Sequence, residues 1–243
     1  MEVLLELNKF SGIIFKEEDH SYFYNGKRCI SVTGLLSKFQ KPFDDIIAVK
    51  HAKKHGLDVD YVRNMWKENG ENTAFVGSEV HKYAENLFFS KHYTPEWNPR
   101  TETLCRMIDK FHNDSRLRLI PIRAELIIGD EALGLCGMID KLFYNTMSKE
   151  IEIWDYKTSK KIDRYSKYKK FFTNRLSHLQ DCEFVKFSLQ LSAYKKIIEK
   201  NTNIKIGNSY ICWVNEVNDT YKVIKTDFLS REIDIMFDSL IAA

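Results

Sequence analysis

Cysteine is sparse and dispersed. The five thiols, Cys29, Cys105, Cys136, Cys182 and Cys212, contain no C-x-x-C pair, so they are read as reduced core thiols. Proline is scarcer still, four residues in 243. With 44% hydrophobic and 13% aromatic residues that leaves an ordinary globular composition, not a low-complexity one. No apolar run approaches the roughly 20 residues that span a bilayer. The opening Met-Glu-Val-Leu-Leu-Glu-Leu carries acids inside its apolar run and no basic leader, unlike a secretory signal. An intracellular protein without a membrane segment is expected. Charge of one sign is also lacking, since 37 basic residues face 34 acids. A net +3 names no nucleic-acid partner, and local distribution must carry that question. There is no internal repeat. The length fits one large domain. Residues 1–76 read as an N-terminal hairpin and helical region, 77–200 as the core, and 201–243 as a closing hairpin and helix.

Two stretches stand out. Ile151-Glu-Ile-Trp-Asp155-Tyr-Lys157 has strand periodicity, placing Ile151, Ile153, Asp155 and Lys157 on one face and Glu152, Trp154 and Tyr156 on the other. Upstream, Leu133 to Phe143 is an apolar run around one acid, Asp140. If the two strands pair antiparallel, both carboxylates reach the same sheet edge. Buried like charges repel. A hard divalent cation with oxygen ligands, such as Mg²⁺, would justify the pairing.

Asp140 followed by Asp155-Tyr-Lys157 resembles the metal-dependent PD-(D/E)XK nuclease superfamily. A histidine upstream, in Gly77-Ser-Glu-Val-His81, and Gln190-Leu-Ser-Ala-Tyr194 downstream are similar to its RecB-type exonuclease branch, which includes phage and mitochondrial genome-maintenance exonucleases. One D-x-K alone is chance; four motifs in order from Gly77 to Tyr194 are specific. The proline–aspartate of the superfamily name is Ile139-Asp140 here. The resemblance implies an α/β fold, a central mixed β-sheet flanked by helices as in restriction endonucleases, with an N-terminal hairpin and a helical insertion. It implies one or two Mg²⁺ or Mn²⁺ ions held by His81, Asp140, Asp155, the Tyr156 backbone carbonyl and Glu125, with Lys157 at the attacking water and scissile phosphate. Gln190 and Tyr194 would position the carboxylates and the DNA backbone. Some relatives carry an iron–sulfur cluster on closely spaced cysteines; that spacing is missing, so no cluster is expected. The implied activity is metal-dependent hydrolysis of DNA, single-stranded or duplex, at ends. An endonuclease of the same fold and a catalytically inactive nucleic-acid binder stay open. The implied setting is bacterial or phage-infected cytoplasm ahead of a mitochondrial matrix.

The rest of the chain is read in order. Gly12 to Gly26 is a hairpin with an Asn25-Gly26 type I′ turn, followed by a strand and a helix capped by Ser31 or Thr33. Phe43 to Phe89 is helical by spacing, Ala74 to Phe89 being its better-defined part. The basic turn Lys50, Lys53, Lys54 and His55 is taken as solvated. On the last helix of that region His81 and Glu85 share a face, and Glu85 either orients His81 or pairs with Lys82. Residues 91–99 read as a loop, Thr101 to Ser115 as a helix, and Gly129-Asp130 as a turn. Glu125 is either a metal-site acid or an edge acid paired with Arg123. After Lys157 comes the most lopsided charge run, with Lys160, Lys161, Tyr165, Lys167, Lys169 and Lys170 interleaving cations and rings as phosphate and unpaired bases require. Its alternative is a basic amphipathic helix burying Tyr165, Tyr168 and Phe172. Phe187 to Lys200 is a helix, then come a hairpin over 204–226 and a helix from Ser230.

Overall fold

The computed structural model describes residues 2–89, 91, 93–96 and 98–241. In chain order its helices are α1 (Glu2–Leu7), α2 (Val32–Ser37), α3 (Ile46–His55), α4 (Val59–Phe88), α5 (Pro99–Ser115), α6 (Glu183–Asn201) and α7 (Ser230–Ile241). Its strands are β1 (Ile13–Lys16), β2 (Ser21–Tyr24), β3 (Lys27–Ser31), β4 (Leu119–Asp130), β5 (Leu135–Asn145), β6 (Glu150–Lys157), β7 (Ile206–Trp213) and β8 (Lys222–Lys225). The strands form one sheet in the order β1-β2-β3-β5-β6-β7-β8, with β4 added to β5. β3–β5 and β6–β7 are parallel and the other pairs antiparallel. The protein is therefore α/β, a central mixed sheet flanked by helices.

Alternation in β6 sets the layers. Ile153 faces a core shared with Leu189, Ala193 and Ile197 of α6 and with Leu35 of α2. Trp154 and Tyr156 face the opposite core, with Val80 and Ala84 of α4 and Leu104, Ile108 and Phe111 of α5. Each such apolar side chain contributes about 1.5–3 kcal/mol on burial, which clamps α6 and α4 to opposite faces of one strand. Buried Glu152 is satisfied by Asn145 Nδ2 at 2.8 Å and Trp154 Nε1 at 2.9 Å. The β2–β3 turn has Asn25 at φ 48° and Gly26 at φ 79°, the paired positive values of a type I′ turn. Ser31 caps α2, its Oγ accepting from Gly34 N–H at 2.9 Å.

Several boundaries differ from the sequence reading. The helical region expected over 43–89 divides into α3 and a single α4 that runs unbroken from Val59, where Asp58 caps Tyr61 N–H, through Ala74. Nothing between the two halves breaks it, because a lone Gly70 costs only about 1 kcal/mol. Pro99 starts α5 instead of ending a loop, since Asn98 and Thr101 form a reciprocal capping box and proline suits the first helical position. Residues 90, 92 and 97 of that connection lie outside the described residues. Gly129-Asp130 is the end of β4, not a turn: the Asp130 carboxylate accepts from Leu133 N–H at 3.0 Å and meets Lys200 at 2.7 Å, moving the reversal to the next residues. Among the described residues no helix is long and apolar enough to cross a membrane.

α3 and the first half of α4 form an arm with its own small core of Ala48, Ala52 and Val62 against Val59 and Trp66. Lys50, Lys53, Lys54 and His55 on it are exposed, as expected of a solvated face.

Candidate metal centre

The site lies where the sheet forks. β4 covers one edge of β5. The other edge is shared, with β3 pairing at Leu135 and Cys136 and β6 pairing from Lys141 onward. Residues 137–140 face the gap between them. Tyr194 fills one end of that gap: a Cβ at Gly137 would stand 2.5 Å from its ring, so only glycine fits. Gln190, one turn earlier on α6, donates to the Tyr194 hydroxyl at 2.9 Å. Asp140 holds the other end. The Lys141↔Trp154 rung places Asp140 opposite Asp155, yet the strands have parted there. The Asp140 Oδ2 instead accepts the Tyr156 N–H at 2.7 Å, a side chain replacing a rung of the ladder.

His81 arrives from α4. Its Nε2 lies 3.0 Å from the Tyr156 carbonyl and its Nδ1 3.3 Å from Asp140 Oδ2. A carbonyl only accepts, so Nε2 carries a proton, and Nδ1 is the ring atom turned toward the carboxylate. The Tyr156 carbonyl thus orients the histidine, and its N–H orients Asp140. Lys141 fixes the helix to the strand, donating from Nζ to the Ala84 carbonyl at 2.9 Å beneath the Phe88 ring. Burial lowers its pKa to about 8.

Glu125 completes the group. The pairs Ala124↔Lys141 and Leu126↔Ile139 leave it across from Asp140, and its φ of 45° is in the left-handed region that non-glycine residues rarely adopt. One ligand atom each from His81, Glu125 and Asp140 falls within 4.8 Å of the others. Burial first, then the charges of Asp140 and Glu85, push the Glu125 pKa up to about 9. Arg123, the alternative partner, contacts the Ile122 carbonyl instead, and among the described residues no ion pair joins it to Glu125.

Asp155 stands beside this group. Its side chain is 2% exposed and Lys157 Nζ lies 2.5 Å from Oδ2. That ion pair is the contact the buried carboxylate oxygen makes. Burial and the Asp140 charge raise its pKa to about 6 against the pull of Lys157. Burial opposes charge on Lys157 as well, but Asp155 and Asp140 outweigh it and raise its pKa. The ammonium lies 4.9 Å from the centre of the Phe187 ring, three residues before Gln190 on α6. Carboxylates and an imidazole converging in this way fit a divalent cation with oxygen and imidazole ligands.

A cavity of about 660 Å³ opens on His81 and Glu125. Its walls join residues of the His81 motif to residues of the N-terminal hairpin. Phe15, His20 and Tyr22 come from the β1–β2 hairpin, and Ala74, Gly77 and Ser78 from the same face of α4 as His81. The helical spacing of that face was a usable signal; the hairpin is brought in by the β3–β5 pairing, and Ser31 and Thr33 just after it line the cavity too. Glu85 lines the cavity too, while Lys82 pairs with Glu17 of the hairpin at 3.7 Å and not with Glu85.

The basic segment is neither helix nor part of this wall. Residues 158–170 are irregular, with Lys160, Lys161, Lys167, Lys169 and Lys170 exposed and Tyr165 and Tyr168 each 75% exposed; only Phe172 is buried. The phenol rings do not pack inward because Ser166 N–H is tied to Gln180 Oε1 and Lys170 N–H to Ser166 Oγ, which holds the loop open.

No protein-family model matches the chain, and no curated protein does. Among solved structures, the crystal structure of SSO0001 aligns with a TM-score of 0.31 and 11% identity over 88% of this chain and 74% of that one. A likeness of that strength carries no argument.

Proposed function

We propose that the protein is a divalent-metal-dependent deoxyribonuclease of the PD-(D/E)XK superfamily, RecB-type branch, acting on DNA ends. The observation that supports this best is the convergence of His81, Glu125 and Asp140 beside the Asp155–Lys157 pair at the fork of the sheet. Bound there, Mg²⁺ or Mn²⁺ would polarise a phosphoryl oxygen and lower the pKa of a water. His81 Nδ1, Glu125, Asp140 and Asp155 would hold the ion, with the Tyr156 peptide orienting two of them. Lys157 supplies a fixed positive charge where negative charge develops on the phosphate. Asp155 and the Phe187 ring keep its ammonium in place. Gln190 and Tyr194 keep the fork open so that Asp140 is free of the ladder. The loop carrying Lys160 to Lys170 starts three residues beyond Lys157 and is suited to phosphates and unpaired bases. The α3–α4 arm would wall the approach and favour ends.

The test is cleavage of end-labelled oligonucleotides. Shortening that stops in excess chelator and returns with Mg²⁺ or Mn²⁺ is expected. A mobility shift without shortening would make the protein a binder, and cleavage that persists in chelator would remove the metal. Efficient cutting of a covalently closed circle would make it an endonuclease.

A further inference from the structure

The cavity has two unlike sides, and the acidic group accounts for one. Its other side is aromatic. Phe15 and Tyr22 are cross-strand partners with ring centroids 4.8 Å apart, and the His20 ring lies 5.4 Å from Phe15. Tyr22 is buried and backs Phe15, while Phe15 is partly exposed and His20 exposed. On the same face of β1, Ile13 is buried in the main core, and Phe15 packs against that core while also lining the cavity. Across from these rings, Ala74, Gly77 and Ser78 present almost no side chain. At the rim, hairpin and helix approach closely enough for the Glu17–Lys82 ion pair.

We propose that this is a nucleobase subsite: one unpaired base of the DNA strand stacks on Phe15, with the tilted His20 ring at its edge, beside the bare surface of α4. The inference rests on the nuclease reading and names its substrate as single-stranded or frayed DNA. Three features support it. The aromatic rings already touch one another, so no base enters between them and a flat guest must lie on their free side. The cavity, about 660 Å³, has the volume of a small-molecule site. An uncharged base needs no counter-charge from this wall, and every base offers a π-face regardless of sequence. An intact duplex would have to open at the rim before a base reached the rings.

The test is binding of a fluorescent single-stranded oligonucleotide, in Ca²⁺, with each position in turn made abasic. For the wild type, one position close to the labelled end is expected to matter, its loss weakening binding about 5- to 150-fold, the range for one stacked base. In Phe15→Leu, which keeps an apolar side chain, that position should cease to matter, while Phe15→Tyr should behave as wild type. The wild type should also bind the single strand more tightly than a blunt duplex of the same sequence. The scan on wild type alone decides the matter if Phe15→Leu folds poorly. No sensitive position, unchanged sensitivity in folded Phe15→Leu, or equal affinity for the blunt duplex would overturn the subsite. If Mn²⁺-dependent cleavage persists in that case, the nuclease reading survives without it. If the wild type neither binds nor cuts any oligonucleotide, both fall together.

Discussion

Replacing Asp140 with alanine is expected to bring metal-dependent DNA cleavage below detection. This carboxylate touches both parts of the proposed centre, His81 Nδ1 at 3.3 Å and the Tyr156 N–H at 2.7 Å. Its loss removes a ligand and frees the peptide that orients the histidine. Lys157→Ala should act differently. The ligand group stays complete, so Mn²⁺ should still bind, while turnover falls about 100- to 1,000-fold, the usual effect of deleting one charge-stabilising donor. The same change leaves Asp155 buried without its cation. Breaking a buried pair commonly costs about 3–5 kcal/mol, but Asp155 already has a raised pKa and can protonate, which limits the loss. Circular dichroism and a melting curve on each purified variant separate misfolding from chemistry. Wild-type turnover in either variant, properly folded, would remove the assignment.

Glu125→Gln should stabilise the metal-free protein while damaging activity. Burial and neighbouring charges push the Glu125 carboxyl from 4.5 to about 9 in the folded chain. Between those values the unfolded chain has released the proton and the folded chain still holds it. Stability is therefore greatest below the unfolded value and declines as pH rises toward 9. Asp155 adds a smaller decline of the same sign between 3.8 and about 6. Discounted for the partial exposure of Glu125, the penalty at pH 8 is on the order of 2 kcal/mol. Glutamine removes it, raising Tm by roughly 4–8 °C for a chain of this size. Mn²⁺ favours the ionised carboxylates, so it should flatten the wild-type pH profile and have little effect on the variant's. A wild-type Tm that rises from pH 5 to pH 9 without metal would contradict this charge arrangement.

How much of this was legible in the sequence depended on the range of the contacts involved. Asp155 and Lys157 share a face because period two is local geometry, and the opposing Trp154 and Tyr156 follow from the same rule. Asn25-Gly26 set its turn because two consecutive positive φ values suit those residues. The faces of α4 and α6 were visible in their spacing, although α4 proved longer because nothing stops it at Ala74. What escaped were features set by tertiary register. The left-handed Glu125 arises where β4 must stay paired while turning an acid toward Asp140. The gap that frees Asp140 exists because β3 and β6 share an edge of β5 without meeting. The aromatic wall belongs to a hairpin more than 50 residues before His81, brought to it by the sheet and met at the rim by the Glu17–Lys82 ion pair. The basic loop has the composition of an amphipathic helix, but backbone bonds to Gln180 and Ser166 hold it irregular.

The central claim is that acids and an imidazole at the fork hold one divalent ion. An anomalous difference map from crystals soaked in Mn²⁺ tests it most directly. One strong peak is predicted between His81, Glu125 and Asp140, at about 2.0–2.3 Å from their ligand atoms, and it should vanish in Asp140→Ala crystals. A map with no peak there, or with Mn²⁺ bound only elsewhere, would contradict it.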